Sequence, residues 1–267
     1  MAEAESAQIF TEDTFLGGRV VLRQPRDGYR AAIDPVLLAA AVPAEPHQRV
    51  LDVGCGTGAA SLCLARRVDD VRVVGLELDR GMARLAQDNA NLNDLGRRFE
   101  AVVGDLQKPP PRLAPHSFDH VLANPPYFEA SHATSPGHAG RARAHVQADG
   151  GLASWVAFAL RMARPGASFT LIHRAERLAE LLDHLDGRAG DVTVFPLWPR
   201  DPFGPGARPA KRVIVQARAG SRGAMRLVGG LVLHGKGDGY TDAADAILRA
   251  GAPLPLRGAP VFSDEGE

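Results

Sequence analysis

The chain has 267 residues, 45% hydrophobic and 23% charged, an ordinary globular balance that excludes wholesale disorder. Lys plus Arg and Asp plus Glu both total 31, so the formal net charge is zero and no global basic field pulls on a polyanion. Aromatic residues make up 6%, too few for a sheet that stacks nucleobases along its face.

Residues 1 to about 12 are polar and acidic and read as a frayed tail. Arg19–Arg23 is a short strand. Asp34 is an N-cap with Pro35 at the first helical position, and VLLAAAV continues as a short apolar helix. A regular alternation follows, with strand Arg49–Val53, helix Ala59–Val68, strand Val71–Glu77, and helix Gly81–Leu92 capped by Asp79. Strands Phe99–Asp105 and Phe118–Asn124 precede a long connection over 125–149, and connections of that length are usually functional or disordered. Helix Leu152–Ala163 stops at Pro165-Gly166, then come strand Ala167–His173, helix Ala175–Leu185 and strand Asp191–Leu197. A Pro/Gly-rich loop, Pro199–Pro209, leads to strand Lys211–Arg218, a further strand Arg226–His234, and a helix capped by Thr241 that runs to Arg249. Strands separated by helices of this length predict right-handed βαβ units and one doubly wound α/β domain with a mostly parallel sheet.

Cys55 and Cys63 are the only cysteines, without CxxC spacing, so a disulfide scaffold or a cysteine zinc site is not expected and no metal is implied. The start, MAEAESAQ, carries Glu3 and Glu5 where a signal peptide has a basic region. The longest apolar run, Pro35–Pro43, is far short of a membrane span. A soluble, cytoplasmic chain is expected, with a monomer as the default.

Three features carry chemistry. DVGCGTG (Asp52–Gly58) follows one predicted strand and opens a helix; Gly54, Gly56 and Gly58 permit a sharp turn and close ligand approach beside unpaired N–H groups. It resembles motif I of class I S-adenosylmethionine (SAM) methyltransferases. Glu77 ends the next strand, where a carboxylate meets ribose hydroxyls in a Rossmann-type sheet. Asp105 ends the third, at a position that resembles the contact to the adenine amino group of SAM. Asn124-Pro125-Pro126-Tyr127 follows the fourth strand. The first and fourth strands of such a sheet lie side by side where strand order reverses, so both motifs are expected to face one cleft. The tetrapeptide resembles motif IV of methyltransferases acting on adenine N6, cytosine N4 or glutamine N5. That likeness implies that the Asn124 side-chain oxygen and the Pro125 carbonyl accept the two N–H groups of the target, with Tyr127 stacking on it.

The resemblance extends along nearly the whole chain. Phe15–Ala44, Asn124–Phe128, Arg143–Gln147, Phe169–Leu178 and Leu231–Arg249 are similar to segments of the bacterial tRNA1(Val) adenine-37 N6-methyltransferase family, with Gln147 standing where that family has an acid. It implies a seven-stranded Rossmann-like sheet, SAM as cofactor and tRNA as partner. Residues 1–48 become a strand-and-helix extension packed on the pocket, with Tyr29, Arg30 and Asp34 nearest the methionine end of SAM. Residues 49–250 become the methyltransferase domain and 251–267 a C-terminal tail. Cofactor contacts fall to Asp52, Gly54, Gly56, Gly58, Glu77, Asp105 and Asn124. Local basic residues in flanking loops, Arg141, Arg143, Lys211 and Arg212, are expected to contact tRNA phosphates. Glutamine-N5 methylation of release factors, methylation of another RNA or DNA amino group, and a non-catalytic binding module stay open. The glutamine-N5 enzymes resemble one another in an N-terminal helical bundle, whereas residues 1–48 read as a strand and one short helix.

Overall fold

In the computed structural model the described residues are 10–26, 30–126, 151–235, 237 and 239–257. They begin on a strand, Phe10–Phe15 (β1), which pairs antiparallel with Val20–Pro25 (β2) as a separate two-stranded sheet. Phe10–Glu12, expected in a frayed tail, are strand instead, and the described part of the extension is a hairpin followed by a helix. Glu12 and Asp13 disfavour a strand between Thr11 and Thr14; pairing to β2 and the ion pairs Arg23–Glu12 (2.9 Å) and Arg30–Asp13 (2.6 Å) hold them.

Helix Asp34–Ala41 (α1) follows. Asp34 is its first residue and not its cap: Ile33 stands at the N-cap, and the Asp34 carboxylate pairs with Arg212 at 3.0 Å. The C-terminal carbonyls of α1, which lack helical partners, are all taken by distant donors. Arg67 Nη2 reaches Ala39 O and Val42 O, Leu254 N reaches Ala40 O, and Gln216 Nε2 reaches Ala41 O. Leu254 and Leu256 are buried, so residues 251–257 belong to the fold and are not a loose tail.

The main sheet is built from Arg49–Val53 (β3), Arg72–Glu77 (β4), Phe99–Val103 (β5), Phe118–Ala123 (β6), Ala163–Arg174 (β7), Ala189–Trp198 (β8) and Arg212–Ala219 (β9). Two further strands of two residues, Arg226–Leu227 (β10) and Leu231–Val232 (β11), both pair with β8, giving nine strands where seven were expected. The single strand expected over Arg226–His234 is interrupted by Gly229-Gly230, which weaken pairing. The order is β10-β8-β9-β7-β6-β3-β4-β5, and β9 is the antiparallel member. β7 starts before Pro165-Gly166 and takes them up as an irregularity, its register to β6 shifting between Phe118 and His120.

Helices Ala59–Arg67 (α2) and Arg80–Leu92 (α3) join α1 on one face, and Gly151–Met162 (α4) and Leu178–Leu185 (α5) cover the other. Ala175–Arg177, expected as the start of the latter helix, is a 3-10 turn. The strands alternate between the two layers, with Val50, Val73 and Leu122 in one and Leu51, Val121 and Ala123 in the other. This is why strands of a sheet covered on both sides read as continuous apolar runs. Asp79 caps α3 through Met82 N (2.9 Å), and Thr241 caps Asp242–Leu248 (α6) through Ala244 N (3.2 Å), both as expected. Cys55 and Cys63 are free and buried. No helix among the described residues is long and apolar enough to cross a membrane.

His120 lies buried in β6 between Ser168 Oγ (2.7 Å) and Gln48 Oε1 (2.8 Å), and burial pulls its pKa from 6.5 down to about 4. The folded chain keeps this ring neutral while the unfolded chain protonates it below about pH 6.5, so stability falls with acidification between pH 6.5 and 4. A single such group contributes a slope of about 1.4 kcal/mol per pH unit. His173 acts in the same sense, its pKa also lowered by burial to about 4. His120→Gln is expected to reduce the slope by one proton, read from denaturant unfolding at pH 5 and 6; an unchanged slope would show that His120 is protonated in the fold.

Candidate active site

The chain reverses its direction of travel across the sheet between β3 and β6, which are paired with Val53 opposite Ala123. Beyond these two neighbouring carboxyl ends lie the glycine turn and Asn124. Ligands of doubly wound sheets bind outside such strand ends.

The turn is fixed from several sides. Gly54 N and Cys55 N both donate to Leu76 O at the end of β4 (2.8 and 3.0 Å), and Gly58 N donates to Cys55 O (2.9 Å). Gly54 has φ +68, and a side chain there would run into the Trp155 ring of α4. Gly56 has φ +55, with nothing within 4 Å of where a Cβ would stand. Its N–H donates to Glu77 Oε2 at 2.9 Å. Gly54 is therefore needed for packing, and Gly56 leaves the crevice open. Gly58 is the N-cap of α2.

Asp52, expected as a cofactor contact, is 2% exposed and accepts from Ser61 Oγ at 2.6 Å. Burial raises its carboxyl to about 7. It braces the turn against α2 from below. Glu77 accepts from Gly56 N and, through Oε1, from Asp79 N (2.9 Å); burial raises its pKa as well. A carboxylate has about four acceptor positions, so Glu77 keeps capacity for hydroxyl donors. Asp105 is half-buried, with Oδ1 accepting from Gln107 N at 2.7 Å. The apolar residues just after these acids are exposed Leu78 (43%) and half-buried Leu106. Neither was expected, because an isolated Leu after an acid carries no spacing signal.

Asn124 and Pro126 are half-buried and Pro125 is buried at the rim beside the turn. Tyr127, Arg141 and Arg143 lie outside the described residues, as do Tyr29 and Gln147. Lys211 is exposed at the start of β9 on the same rim, while Arg212 is half-buried and committed to Asp34. Trp198 is half-buried and donates through Nε1 to Gly229 O (2.8 Å). Among the described residues no group of His, Cys, Asp and Glu is arranged to hold a metal ion.

The seven long strands, with order reversing at β3/β6 and one antiparallel member at β9, match solved methyltransferases. A protein of Agrobacterium tumefaciens described as a predicted O-methyltransferase superposes with TM-score 0.68 at 26% identity, over 83% of this chain and 98% of its own. The chain has the class I methyltransferase fold. Residues 50–151 match the family model described as a methyltransferase domain. A tRNA (m1A58) methyltransferase from Aquifex aeolicus shares the fold with TM-score 0.53 at 15% identity, over 74% of this chain and 72% of that one. Among curated proteins, the tRNA1(Val) (adenine(37)-N6)-methyltransferase of Salmonella typhi is 33% identical over 127 residues, 47% of this chain. That of Salmonella typhimurium is 32% identical over the same length. The chain spans about half the length of these curated relatives, 51% in each case.

SAM is the cofactor that the class I methyltransferase fold takes, and the residues present fit it. The space above Gly56 is the cradle a Cβ would fill, Gly58 caps α2 just after it, and the Glu77 and Asp105 carboxylates stand at and just past the ends of the neighbouring strands β4 and β5.

Proposed function

We propose that this chain is a SAM-dependent methyltransferase acting on the N6 amino group of an adenine in tRNA, the adenine at position 37 of a valine tRNA by similarity to its curated relatives. The observation that carries this reading is the adjacency of Asn124-Pro125-Pro126 to the glycine turn, through the Val53–Ala123 register.

SAM, when bound, supplies an electrophilic methyl group on a sulfonium. The residues of the chain do the rest. Glu77 would hold the ribose hydroxyls and Asp105 the adenine amino group, with Leu78 and Leu106 following them in the chain, and the open space at Gly56 would admit the methionine portion, Gly54 and Gly58 shaping the turn. Asn124, at the edge of that space, would also neighbour the cofactor. An exocyclic amino group is a poor nucleophile because its lone pair is spread into the ring. The Asn124 oxygen and the Pro125 carbonyl each accept one N–H and favour a pyramidal nitrogen with a localised pair. These bonds tighten at the transition state, which lowers the barrier where uniform binding would not. Proline suits position 125 because its φ is fixed and it has no N–H of its own. Pro126 stiffens the turn, and the motif resemblance gives Tyr127 the role of stacking on the base. After transfer, the excess proton leaves to water. The motif supplies acceptors and no base, so it suits an amino nucleophile better than a hydroxyl, which must lose its proton during attack.

Phosphate contacts hold the rest of the tRNA, since a chain of zero net charge exerts no general pull on it. Lys211→Ala is expected to weaken tRNA binding and flatten its salt dependence with SAM affinity intact, as are Arg141→Ala and Arg143→Ala. Arg212→Ala instead breaks the 3.0 Å ion pair with half-buried Asp34, so it is expected to lower stability. Filter binding across a salt series, with thermal unfolding in parallel, separates these outcomes.

Modified-nucleoside mass spectrometry of tRNA from cells lacking the chain tests the proposal. Loss of N6-methyladenosine from an anticodon loop is expected. An unchanged tRNA pool with a protein glutamine losing its methyl group would favour the glutamine-N5 reading.

A further inference from the structure

We propose that Phe203 is a stacking platform for an unpaired nucleobase of the RNA substrate, outside the catalytic cleft; this rests on the tRNA reading above. Phe203 is 94% exposed, the most exposed large apolar side chain among the described residues. It sits in the connection from β8 to β9. Leu197, Arg212 and Arg174 stand in register there, so the loop rises from the same carboxyl-end rim as Asn124. From β6 through β7 and β9 to β8 is three strand spacings, about 14 Å. A strand of RNA that delivers one base to Asn124 passes within reach of this loop.

The loop is built to hold Phe203 out. Pro199, Pro202, Pro205 and Pro209 restrict its backbone in the unfolded chain as well, so ordering it costs little. Asp201 Oδ1 accepts from Phe203 N at 2.9 Å, and Gly204 O accepts from Ala207 N at 3.1 Å. Arg200 Nη1 donates to Gly235 O and Gly237 O (2.9 and 3.0 Å), tying the loop to the chain after β11. Arg208 and Lys211 are exposed in the same segment. The segment carries Arg200, Arg208 and Lys211 against the single acid Asp201, and an exposed aromatic face in a net basic segment is the composition that binds single-stranded nucleic acid without reading sequence. Charge complementarity therefore favours RNA over an apolar protein partner. Trp198, the other aromatic of this region, is half-buried with its N–H engaged and does not offer such a face.

The test compares wild type, Phe203→Ala and Phe203→Trp. Their readouts are KM and kcat for methylation of bulk tRNA, affinity for a short fluorescein-labelled single-stranded RNA, and SAM affinity by calorimetry. Phe203→Ala is expected to raise KM and weaken single-strand binding roughly tenfold, the usual effect of losing one stacked base. Phe203→Trp is expected to restore both, with kcat and SAM affinity constant throughout. Unchanged KM and RNA affinity in Phe203→Ala, with tRNA still methylated, would overturn this inference and leave the proposed function standing. Impaired methyl transfer to a protein with RNA binding unaffected would overturn it in favour of a protein-docking residue. Absence of methyl transfer to tRNA by wild type would overturn both, and the wild-type measurement alone identifies that case.

Discussion

Asn124→Ala is expected to lower the rate of methyl transfer by roughly two to three powers of ten with SAM affinity nearly unchanged. The side chain stands half-buried at the rim of the cleft, just past β6, beside the turn that begins at Gly54. Removing its amide takes away one of two preorganised acceptors, and deleting such a group from a low-dielectric site costs on the order of 2–4 kcal/mol in the barrier. Because the acceptor acts on the target nitrogen, the loss belongs in kcat. Single-turnover methylation with calorimetry for SAM measures both quantities. Near-normal turnover would remove Asn124 from its assigned role.

Gly56→Val is expected to abolish SAM binding. Its Cβ would project into space that no protein atom occupies within 4 Å, so packing tolerates the added atoms and the ligand does not. Part of the effect is backbone strain, because φ is +55 and a β-branched residue disfavours the left-handed region. Gly56→Ala carries the strain with less bulk, and is expected to weaken binding without eliminating it. Gly54→Ala makes the contrast. Its Cβ meets the Trp155 ring, so it is expected to lower thermal stability through overpacking even without ligand. Calorimetry and thermal unfolding of the three variants distinguish a blocked cofactor from a damaged fold. Equal SAM affinity in wild type and Gly56→Val would contradict the cofactor assignment.

What was legible in the sequence is local. The glycine turn, the strands on either side of it and the caps Asp79 and Thr241 depend on residues within a few positions of each other, and they lie where the spacing puts them. The adjacency of β3 and β6 followed from handedness and strand order. What was not legible depends on partners far along the chain. Phe10–Phe15 is a strand because β2 pairs with it. Asn89 on α3 and Asn93 at its C-cap, one helical turn apart, bind the Arg23 and Val21 backbone through their amides, and Asn89 also reaches Thr57 O in the glycine turn. These two side chains dock the hairpin beside the site, yet Asn at helix positions reads as solvated surface. Asp52 has the spacing of a ligand contact and the burial of a brace, and only the Ser61 hydroxyl distinguishes the two. Arg212 has the charge of a phosphate contact, but its guanidinium is engaged by Asp34 across 178 positions.

One measurement tests the central claim most directly. The wild-type chain is incubated with SAM labelled in the methyl group and, in separate reactions, with bulk tRNA, ribosomal RNA, duplex DNA and a release factor. Label is expected in tRNA, recovered as N6-methyladenosine. Label in the release factor with none in tRNA would contradict the account.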